Sequence, residues 1–360
     1  MDSPLQVRVL QSGAELERLR DEWNELLSES SADCLFLTWE WTTSWWRHLG
    51  NDRTLHVVEV RERNRLIGLA PLTILHGRVE FMGTGTVGSD YLDLIVRKES
   101  EREVIDAIAR NLETLGYHLH FSHFLPGSVV HRFAERLKIR GYRVFDRRIN
   151  VCPFMTLGGQ NWDSFLSTLG RRHRENIRRR IRKLPADASF RRTATQEDLR
   201  KNLSSLISLH NQRWDTRGGS DALRDGRVQD FHRDFAALAL DRRWLRLFVL
   251  NLGDRPVAAV YAFNYKGRSL YYQAGVAPEY SGMSLGLVAL GLSIQDALEE
   301  GAVEYDFLHG DEEYKSLWAH EMRELRVFDA YPRSLKGSLT MHSHRVLRAA
   351  KTMARYVITR

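Results

Sequence analysis

The fold is decided by residues 245–286, which read LRLFVLNLGDRPVAAVYAFNYKGRSLYYQAGVAPEYSGMSLG. Two turns that contain glycine separate three runs rich in β-branched and aromatic residues, which predicts strands at Leu245–Leu250, Pro256–Tyr265 and Ser269–Val276. The run Tyr280–Gly286 then leads into an apolar helix. A turn at the start of a helix presents unpaired backbone N–H groups and the positive end of the helix dipole. This stretch therefore predicts an anion-binding site for a cofactor.

The rest of the chain extends the pattern in both directions. Downstream, the sequence predicts strands at Glu304–Leu308 and Leu325–Tyr331. Upstream it predicts a strand, two helices, three strands, and then helix, strand, helix and strand, before one long helix over Trp162–Leu184 restarts the pattern. This order indicates an α/β fold with mixed (α+β) sheets. We expect two domains and a basic terminal helix, over residues 1–155, 156–334 and 335–360.

Composition narrows the class of protein. The chain has 360 residues, of which 43% are hydrophobic and 28% charged, as in an ordinary globular protein. The amino terminus lacks the apolar segment of a signal peptide, and no run approaches the ~18 apolar residues of a membrane span, so we expect a cytoplasmic protein. Cys34 and Cys152 stand alone, without the paired spacing of a zinc site or a disulfide framework. No metal is expected.

The net charge of +7 is concentrated in two segments. Residues 171–183 carry eight Lys/Arg against one Glu, residues 333–360 carry seven against none, and the remainder has a net charge of −7. The basic character therefore does not indicate a general nucleic-acid-binding surface. For the first segment, binding of a phosphate or acidic polymer and a merely solvated basic face are equal alternatives. The second segment predicts a helix on an anionic membrane surface, a helix packed on the domain, or a partly disordered tail.

Several motifs resemble a known family: the runs Pro256–Phe263, Leu270–Gly275 and Tyr305–Trp318, the motif Leu209-His210-x-x-Arg213-Trp214, and the Arg-rich helix. Together they resemble the GNAT-superfamily acetyltransferases of bacterial cellulose and exopolysaccharide biosynthesis. That group is similar to the Fem-type aminoacyl-transferases, which are tandem GNAT-like folds. The resemblance runs from about Leu16 to Tyr331 and implies a degenerate first GNAT-like domain, a catalytic second one, and acetyl-CoA or another acyl-CoA as co-substrate.

The same resemblance implies that the turn before the apolar helix binds the donor. The superfamily's usual loop is Gln/Arg-x-x-Gly-x-Gly/Ala, whereas this chain has Ser281-x-x-Ser284-x-Gly286, so the first basic or amide residue and the first glycine are missing. Backbone N–H groups remain available in any sequence that keeps the turn. The expected donor-binding residues are Ser281, Gly282, Ser284, Leu285 and Gly286.

Acyl transfer from a thioester requires a base, donors for an oxyanion, and an acid for the departing thiolate. By resemblance, Tyr314 is the thiolate acid, although Tyr314 and Trp318 also fit one packed helical face. His309 and Glu312 (or Glu313) are candidate bases, with a surface histidine as the alternative for His309. Lys315 is a candidate for the oxyanion or for an acceptor phosphate, and Asp306 is either catalytic or the partner of a helix start or an arginine. The expected acceptor-binding residues are His210, Arg213, Trp214, Arg174 and Arg178.

The sequence thus predicts transfer of an acyl group, most simply acetyl, to an amine or hydroxyl of a sugar, peptide or envelope-polysaccharide precursor. One alternative is Fem-like aminoacyl transfer from charged tRNA, with RNA as a partner of the Arg-rich helix, although Trp162–Leu184 is too short for the helical arm of that group. Another is a non-catalytic scaffold of a polysaccharide-synthesis complex, which the degenerate loop favours. The acceptor and the oligomeric state are not encoded in any fixed motif.

Overall fold

The computed structural model describes residues 5–215, 223–344 and 346. Within them the chain forms two compact units, one made of the residues up to Ile149 and from Leu325 onward, the other of Asn150–Glu324. Both boundaries fall inside long strands. The last predicted strand was expected in the second domain, yet its residues from Leu325 group with the first unit.

The first unit follows the predicted overall order, but between its first strand and the helix that begins at Glu101 the described residues form three α-helices and six strands where two helices and three strands were predicted. Its strands are β1 (Gln6–Leu10), β2 (Thr54–Leu55), β3 (Val57–Glu62), β4 (Arg65–Ala70), β5 (Leu72–Leu75), β6 (Arg78–Phe81), β7 (Ile95–Val96), β8 (His118–Phe124) and the first part of β9 (Arg143–Thr156). Its helices are α1 (Gly13–Arg18), α2 (Arg20–Glu29), α3 (Trp39–Leu49), α4 (Glu101–Leu115) and α5 (Val129–Ile139). Residues 335–344 and 346 are also helical, and the rest of the predicted terminal helix lies outside the described residues.

The second unit contains residues 245–286, the stretch that decides the fold. Its helices are α6 (Trp162–Thr168), α7 (Arg171–Arg182), α8 (Gln196–Asp215), α9 (Gly226–Asp241), α10 (Leu285–Glu299) and α11 (Glu313–Ser316). Its strands are β10 (Ala188–Arg192), β11 (Leu245–Leu252), β12 (Arg255–Tyr265), β13 (Arg268–Val276) and β14 (Glu304–Asp306), and β15 (Glu321–Tyr331) begins in this unit and ends in the first.

The sheet of the second unit has the order β10-β11-β12-β13-β14-β9. Strands β10 to β13 are antiparallel, β13 and β14 are parallel, and β14 is antiparallel to β9. The parallel pair is connected through α10, as a parallel crossover requires. The mixed α/β fold predicted from the sequence is confirmed, and the three predicted strands between residues 245 and 276 agree with β11 to β13 to within two residues.

The first unit repeats this arrangement. Strand β6 is parallel to β8 with α4 in the connection, and β8 is antiparallel to β15. Strands β1, β3, β4 and β7 form a separate antiparallel sheet. Trp39, Trp41 and Trp45 are at most 3% exposed, so this segment contributes large aromatic side chains to the core.

Two helices of the second unit replace the one predicted over Trp162–Leu184. Helix α6 ends at Thr168, Leu169 has an extended backbone (φ −80°, ψ 152°), and Gly170 precedes the start of α7. Leu169 is buried at the break, and Gly170 beside it has a low helical propensity, so burial and local propensity both favour the interruption. The break turns the arginine-rich segment into a helix of its own, with Ile177 as its buried anchor.

Candidate active site

The sheet of the second unit opens at the carboxyl end of β14. The parallel pairing of β13 with β14 covers only the pairs Arg268–Glu304, Ser269–Tyr305 and Leu270–Asp306, whereas β13 continues to Val276. The last residues of β13 therefore pair with β12 on one side. On the other side their backbone N–H and C=O groups are not paired with β14. The N–H groups among them are donors of the kind that a negatively charged oxygen requires.

A β-bulge adjusts which side chains of β13 face this opening. Tyr261 of β12 is opposite Gln273, but the next residue, Ala262, is opposite Tyr271, so Tyr272 is the extra residue. In a regular strand Tyr271 and Ala274 would face opposite sides of the sheet. The extra residue brings both to the same side, where each lines the cavity described next.

A cavity of about 580 Å³ lies along the open end of β13. Its walls come from β12 and β13, from the first turns of α10, and from Tyr314 and Trp318. Most of the lining is apolar, with contributions from Ala274, Val276 and Leu290. A concave, mostly apolar cavity with a few polar groups is typical of a site for a small molecule or cofactor.

The predicted donor loop reaches this cavity. Ser284, Leu285 and Gly286 line it, and Ser284 precedes α10 in a left-handed conformation (φ 55°) with its carbonyl accepting from the N–H of Leu287 at 3.0 Å. The first-turn N–H groups of a helix have no partner within the helix. A Cβ atom on Gly286 would lie 3.0 Å from Cγ2 of Val276, which explains why a glycine stands there.

The arginine-rich helix α7 contacts the same loop through a hydrogen bond. Arg180 donates a hydrogen bond from its guanidinium to the carbonyl oxygen of Gly282 at 2.6 Å. The expected acceptor-binding arginines are on this helix too, but Arg178 pairs with Asp163 at 2.8 Å and Arg174 donates to the carbonyl of Ser167 at 3.3 Å. The basic segment is therefore partly used within the unit, next to the donor loop.

The loop after β14 is held by two of the candidate catalytic residues. Asp306, only 1% exposed, accepts from the N–H of Leu308 at 2.7 Å and pairs with Arg323 at 3.2 Å. Leu308 is left-handed (φ 55°), which ends the strand at Asp306, two residues earlier than predicted. These contacts match the structural alternative that the sequence analysis gave for Asp306, an interaction with an arginine.

Lys315 is buried beneath this loop. Its ammonium group donates to the carbonyl oxygen of His309 and pairs with the carboxylate of Glu312, each at 2.8 Å. Only 4% of the lysine side chain is exposed, whereas 56% of the Glu312 side chain is. His309 is half-buried in the same loop. The structure thus brings these three candidates together, with the lysine charge directed at the loop itself.

Tyr314 and Trp318 occupy the wall of the cavity opposite the sheet opening. Tyr314 is half-buried, and Trp318 is 1% exposed with Phe165 stacked 6.4 Å from it and His173 edge-on at 4.8 Å. Burial lowers the pKa of His173, which favours its neutral form. Nε1 of Trp318 is buried and has no hydrogen-bond partner among the described residues. A packed face shared with Tyr314 is one of the alternatives predicted from the sequence for Trp318, and no local pattern indicates that its indole N–H is unpartnered.

His210 lies on the other side of β13. Its backbone N would be 2.6 Å from a Cβ atom on Gly275, a residue that alternates with the cavity-lining Ala274 and Val276. The His210 side chain is 1% exposed. The side chains of the other expected donor and acceptor residues Arg213, Trp214 and Ser281 lie outside the part that the structure describes.

The comparisons with known proteins agree with this geometry. Residues 171–316 match the family model described as acetyltransferase (GNAT) domain, while no curated protein sequence matches significantly. The fold resembles that of FemX, with a TM-score of 0.61 at 12% identity over 90% of this chain and 96% of that one. It also resembles L-PGS from Bacillus licheniformis (TM-score 0.54, 14% identity, 91% of this chain and 95% of that one).

A third match is a tandem GNAT protein from the clavulanic acid biosynthesis pathway, with a TM-score of 0.52 at 12% identity over 91% of this chain and 98% of that one. At such identities the likeness shows the fold alone, and the matched family is the superfamily rather than its cellulose or exopolysaccharide branch. Among the described residues, no helix has the length and apolarity needed to cross a membrane. Residues 171–316 therefore match the GNAT acetyltransferase domain model, and the fold of the chain resembles that of a tandem GNAT protein.

Proposed function

We propose that the protein is an acyltransferase that uses acyl-CoA, with acetyl-CoA as the simplest donor, and that its second unit carries the reaction. One observation carries the proposal: the predicted donor loop Ser284–Gly286 and the predicted acid Tyr314 line the same cavity, beside the part of β13 that does not pair with β14. The loop and the tyrosine are 28 residues or more apart in the chain, so their proximity comes from the fold and not from the sequence spacing.

The cavity supplies a place for each part of such a donor. The first-turn N–H groups of α10 face the position for the pyrophosphate, since helix starts bind anions. The apolar wall formed by Ala274, Val276 and Leu290 suits the extended arm that carries the thioester. The outward N–H groups of β13 would hold the thioester oxygen as it gains negative charge.

In the reaction itself, the acceptor nitrogen or oxygen attacks the carbonyl carbon, a new C–N or C–O bond forms, and the C–S bond breaks. In this proposal the Tyr314 hydroxyl gives its proton to the departing thiolate, and the indole N–H of Trp318, another residue that lines the cavity, is a further candidate donor. The proton lost by the acceptor goes to a base, for which His309 and Glu312 stay the candidates. Lys315 and Asp306 act as positioning residues for that loop.

The acceptor is proposed from the resemblance alone: an amine or hydroxyl of a sugar, peptide or envelope-polysaccharide precursor. His210 of α8 lies on the side of β13 that faces away from the cavity. A contribution of α8 to acceptor binding would therefore bring the donor and the acceptor to opposite sides of β13. As His210 is buried, its role in this proposal is to support β13 rather than to touch the acceptor.

Aminoacyl transfer from charged tRNA is the second candidate. It is favoured by the shared fold with FemX and by the basic helix α7, whose Arg180 contacts the donor loop. Helices α6 and α7 have only 7 and 12 residues, but the match covers 96% of the FemX chain, so their shortness does not separate the two candidates. A non-catalytic scaffold remains the third candidate, for which the departures in the donor loop argue.

Calorimetric titration separates these candidates. We expect saturable binding of CoA and acetyl-CoA at micromolar to sub-millimolar concentration, with an affinity that falls much less with salt than that of a polyanion such as tRNA, because CoA carries only a few phosphate charges. Absence of binding at millimolar ligand would refute the acyl-CoA proposal. Binding of charged tRNA instead, with an affinity that falls steeply as salt rises, would favour the second candidate, and absence of both would leave the scaffold.

A further inference from the structure

A group of metal-ligating side chains lies in the first unit, away from the cavity. His118 and His120 are two apart on β8, so both imidazoles face the same side of the sheet. In the pairing of β8 with β15, Asp329 is directly opposite His120 and therefore faces that side as well. One oxygen of Asp329, Oδ1, is 2.9 Å from Nε2 of His118 and 2.8 Å from Nδ1 of His120.

The distances among these atoms suit a metal ion. One ligand atom from each of the three residues lies within 4.8 Å of the others. Zinc bonds of about 2.0–2.2 Å place neighbouring ligand atoms about 3.4 Å apart in a tetrahedron. To admit the ion, each imidazole nitrogen would have to move about half an ångström away from the carboxylate oxygen, and a pair of ligand atoms at the 4.8 Å limit would have to approach by about 1.4 Å. Two imidazoles and one carboxylate are, moreover, ligands that zinc accepts.

The surroundings keep the group in place. His118 is 5% exposed, and its ring is stacked on Tyr331 with a centroid distance of 4.4 Å and an interplanar angle of 5°. Tyr331 is itself hydrogen-bonded through its hydroxyl to His344 at 3.0 Å. Ring packing and two paired strands fix the ligand directions, which is what a metal site requires of its scaffold.

The three side chains would lower the stability of the fold if they had only a structural role. Nδ1 of His118 is buried without a hydrogen-bond partner among the described residues. An unsatisfied buried polar atom costs about 1–3 kcal/mol, whereas apolar side chains on this face would avoid that cost. Two imidazoles that converge on one buried carboxylate oxygen therefore indicate a binding role.

We propose that His118, His120 and Asp329 bind a divalent transition-metal ion, with zinc as the best match to the ligand set, and leave one coordination position open for water or another ligand. The proposal departs from the expectation of no metal in the sequence analysis, and it is independent of the acyl-transfer proposal because it concerns the first unit. Bound metal would cross-link β8 to β15 through their side chains.

The test uses the full-length protein with any purification tag removed, since a histidine tag binds metals by itself. The metal-free protein is titrated with Zn²⁺ against a chromophoric chelator, and with Co²⁺ while the visible d–d bands are recorded. We expect saturation near one ion per chain and Co²⁺ bands of the intensity typical of tetrahedral or five-coordinate sites. Thermal melting should shift upward with Zn²⁺ and return with EDTA.

Matched variants locate the site. His120→Ala should weaken Zn²⁺ binding by more than about tenfold and abolish the thermal shift, since even outer residues of metal sites are worth that much. His131→Ala is the control, because His131 forms a histidine–aspartate pair with Asp146 at 3.3 Å in the same unit but has no second imidazole beside it. Its Zn²⁺ affinity should equal that of the unchanged protein.

Two results would overturn the proposal: absence of Zn²⁺ and Co²⁺ binding in the unchanged protein, or equal affinity in the His120→Ala and His131→Ala variants. If His120→Ala does not fold, His120→Asn replaces it, because that side chain is 26% exposed and tolerates a polar substitute. Asp329→Asn adds an independent check: it keeps a hydrogen-bond acceptor between the two imidazoles while removing the charge that attracts the ion.

Discussion

Gly286 is the position where a single side chain should separate donor binding from folding. In the structure a Cβ atom there would lie 3.0 Å from Cγ2 of Val276, whereas carbon atoms pack optimally at about 3.5–4.0 Å. Gly286→Val would therefore push the first turn of α10 away from β13 by about 0.5–1 Å. That turn carries the N–H groups proposed to bind the pyrophosphate.

The expected effect follows from that displacement. A misplacement of about 1 Å in a binding site costs up to about 10²-fold, so we expect CoA affinity to fall by about 10- to 100-fold, or about 1.4–2.8 kcal/mol. Overpacking at the helix start should lower the free energy of unfolding by about 1–3 kcal/mol, which leaves the fold intact in a chain of ordinary stability.

Gly226→Val serves as the matched control. Gly226 also begins a helix of the second unit, α9, but it does not line the cavity, and no atom lies within 4 Å of the position of its Cβ atom. Its CoA affinity should stay within about twofold of the unchanged protein, as additions into open space are usually neutral. Calorimetric titration of CoA and thermal melting of the three proteins give both quantities. Unchanged CoA affinity in a folded Gly286→Val variant, or equal losses in both variants, would refute the assignment of the donor site to this helix start.

Other substitutions test the remaining residues. Tyr314→Phe should lower kcat by about 10²–10⁴-fold without changing CoA affinity, and an unaltered kcat would assign the thiolate proton to another group. Trp318→Phe keeps an aromatic ring but removes the indole N–H, so kcat should fall more than CoA affinity; the reverse order would indicate a packing role. Asp306→Asn should lower the free energy of unfolding by about 1–3 kcal/mol, as measured by urea titration, because the buried partner of Arg323 loses its charge. If the variant kept its full stability but lost turnover, Asp306 would instead take part in the chemistry. Burial lowers the pKa of His232 to about 3. Below pH 6.5 this histidine therefore binds a proton in the unfolded chain but stays neutral in the folded chain. The free energy of unfolding should fall by about 1.4 kcal/mol per pH unit towards pH 3. His232→Phe should remove that contribution, and equal slopes in urea titrations of both proteins between pH 7 and 5 would contradict it.

The second unit shows how far local patterns reach. Strands β11 to β13 follow the predicted spans because glycine turns and side-chain periodicity are properties of neighbouring residues. Strand β14 was predicted to end at Leu308 but ends at Asp306, where the carboxylate binds the Leu308 N–H and supports a left-handed backbone. The helix predicted over Trp162–Leu184 is broken where Leu169 is buried and Gly170, a residue of low helical propensity, precedes α7. The contact at Asp306 is local, between residues two apart, whereas the burial of Leu169 depends on the tertiary fold.

For the candidate site, the sequence indicated types of residue but not their use. Tyr314 and Gly286 line the cavity as a donor site requires. Lys315, by contrast, directs its charge at the carbonyl of His309, and Asp306 is paired with Arg323. No pattern in the sequence distinguishes a lysine that faces a cavity from one that faces its own loop, since the difference is only one of side-chain direction.

By itself, the sequence of this protein determined the α/β class, the order of its elements, the GNAT resemblance and the residues able to do acyl-transfer chemistry, because these follow from turn residues, periodicity and short motifs. Only the tertiary structure decided where the sheet opens, that a bulge turns Tyr271 and Ala274 to the same side, and that Trp318 offers a buried donor. It alone also brings Asp329 to His120 across 209 residues of chain. The physical reason is strand register: a shift of one residue reverses every side chain, and register is fixed by packing between residues that are distant in the chain.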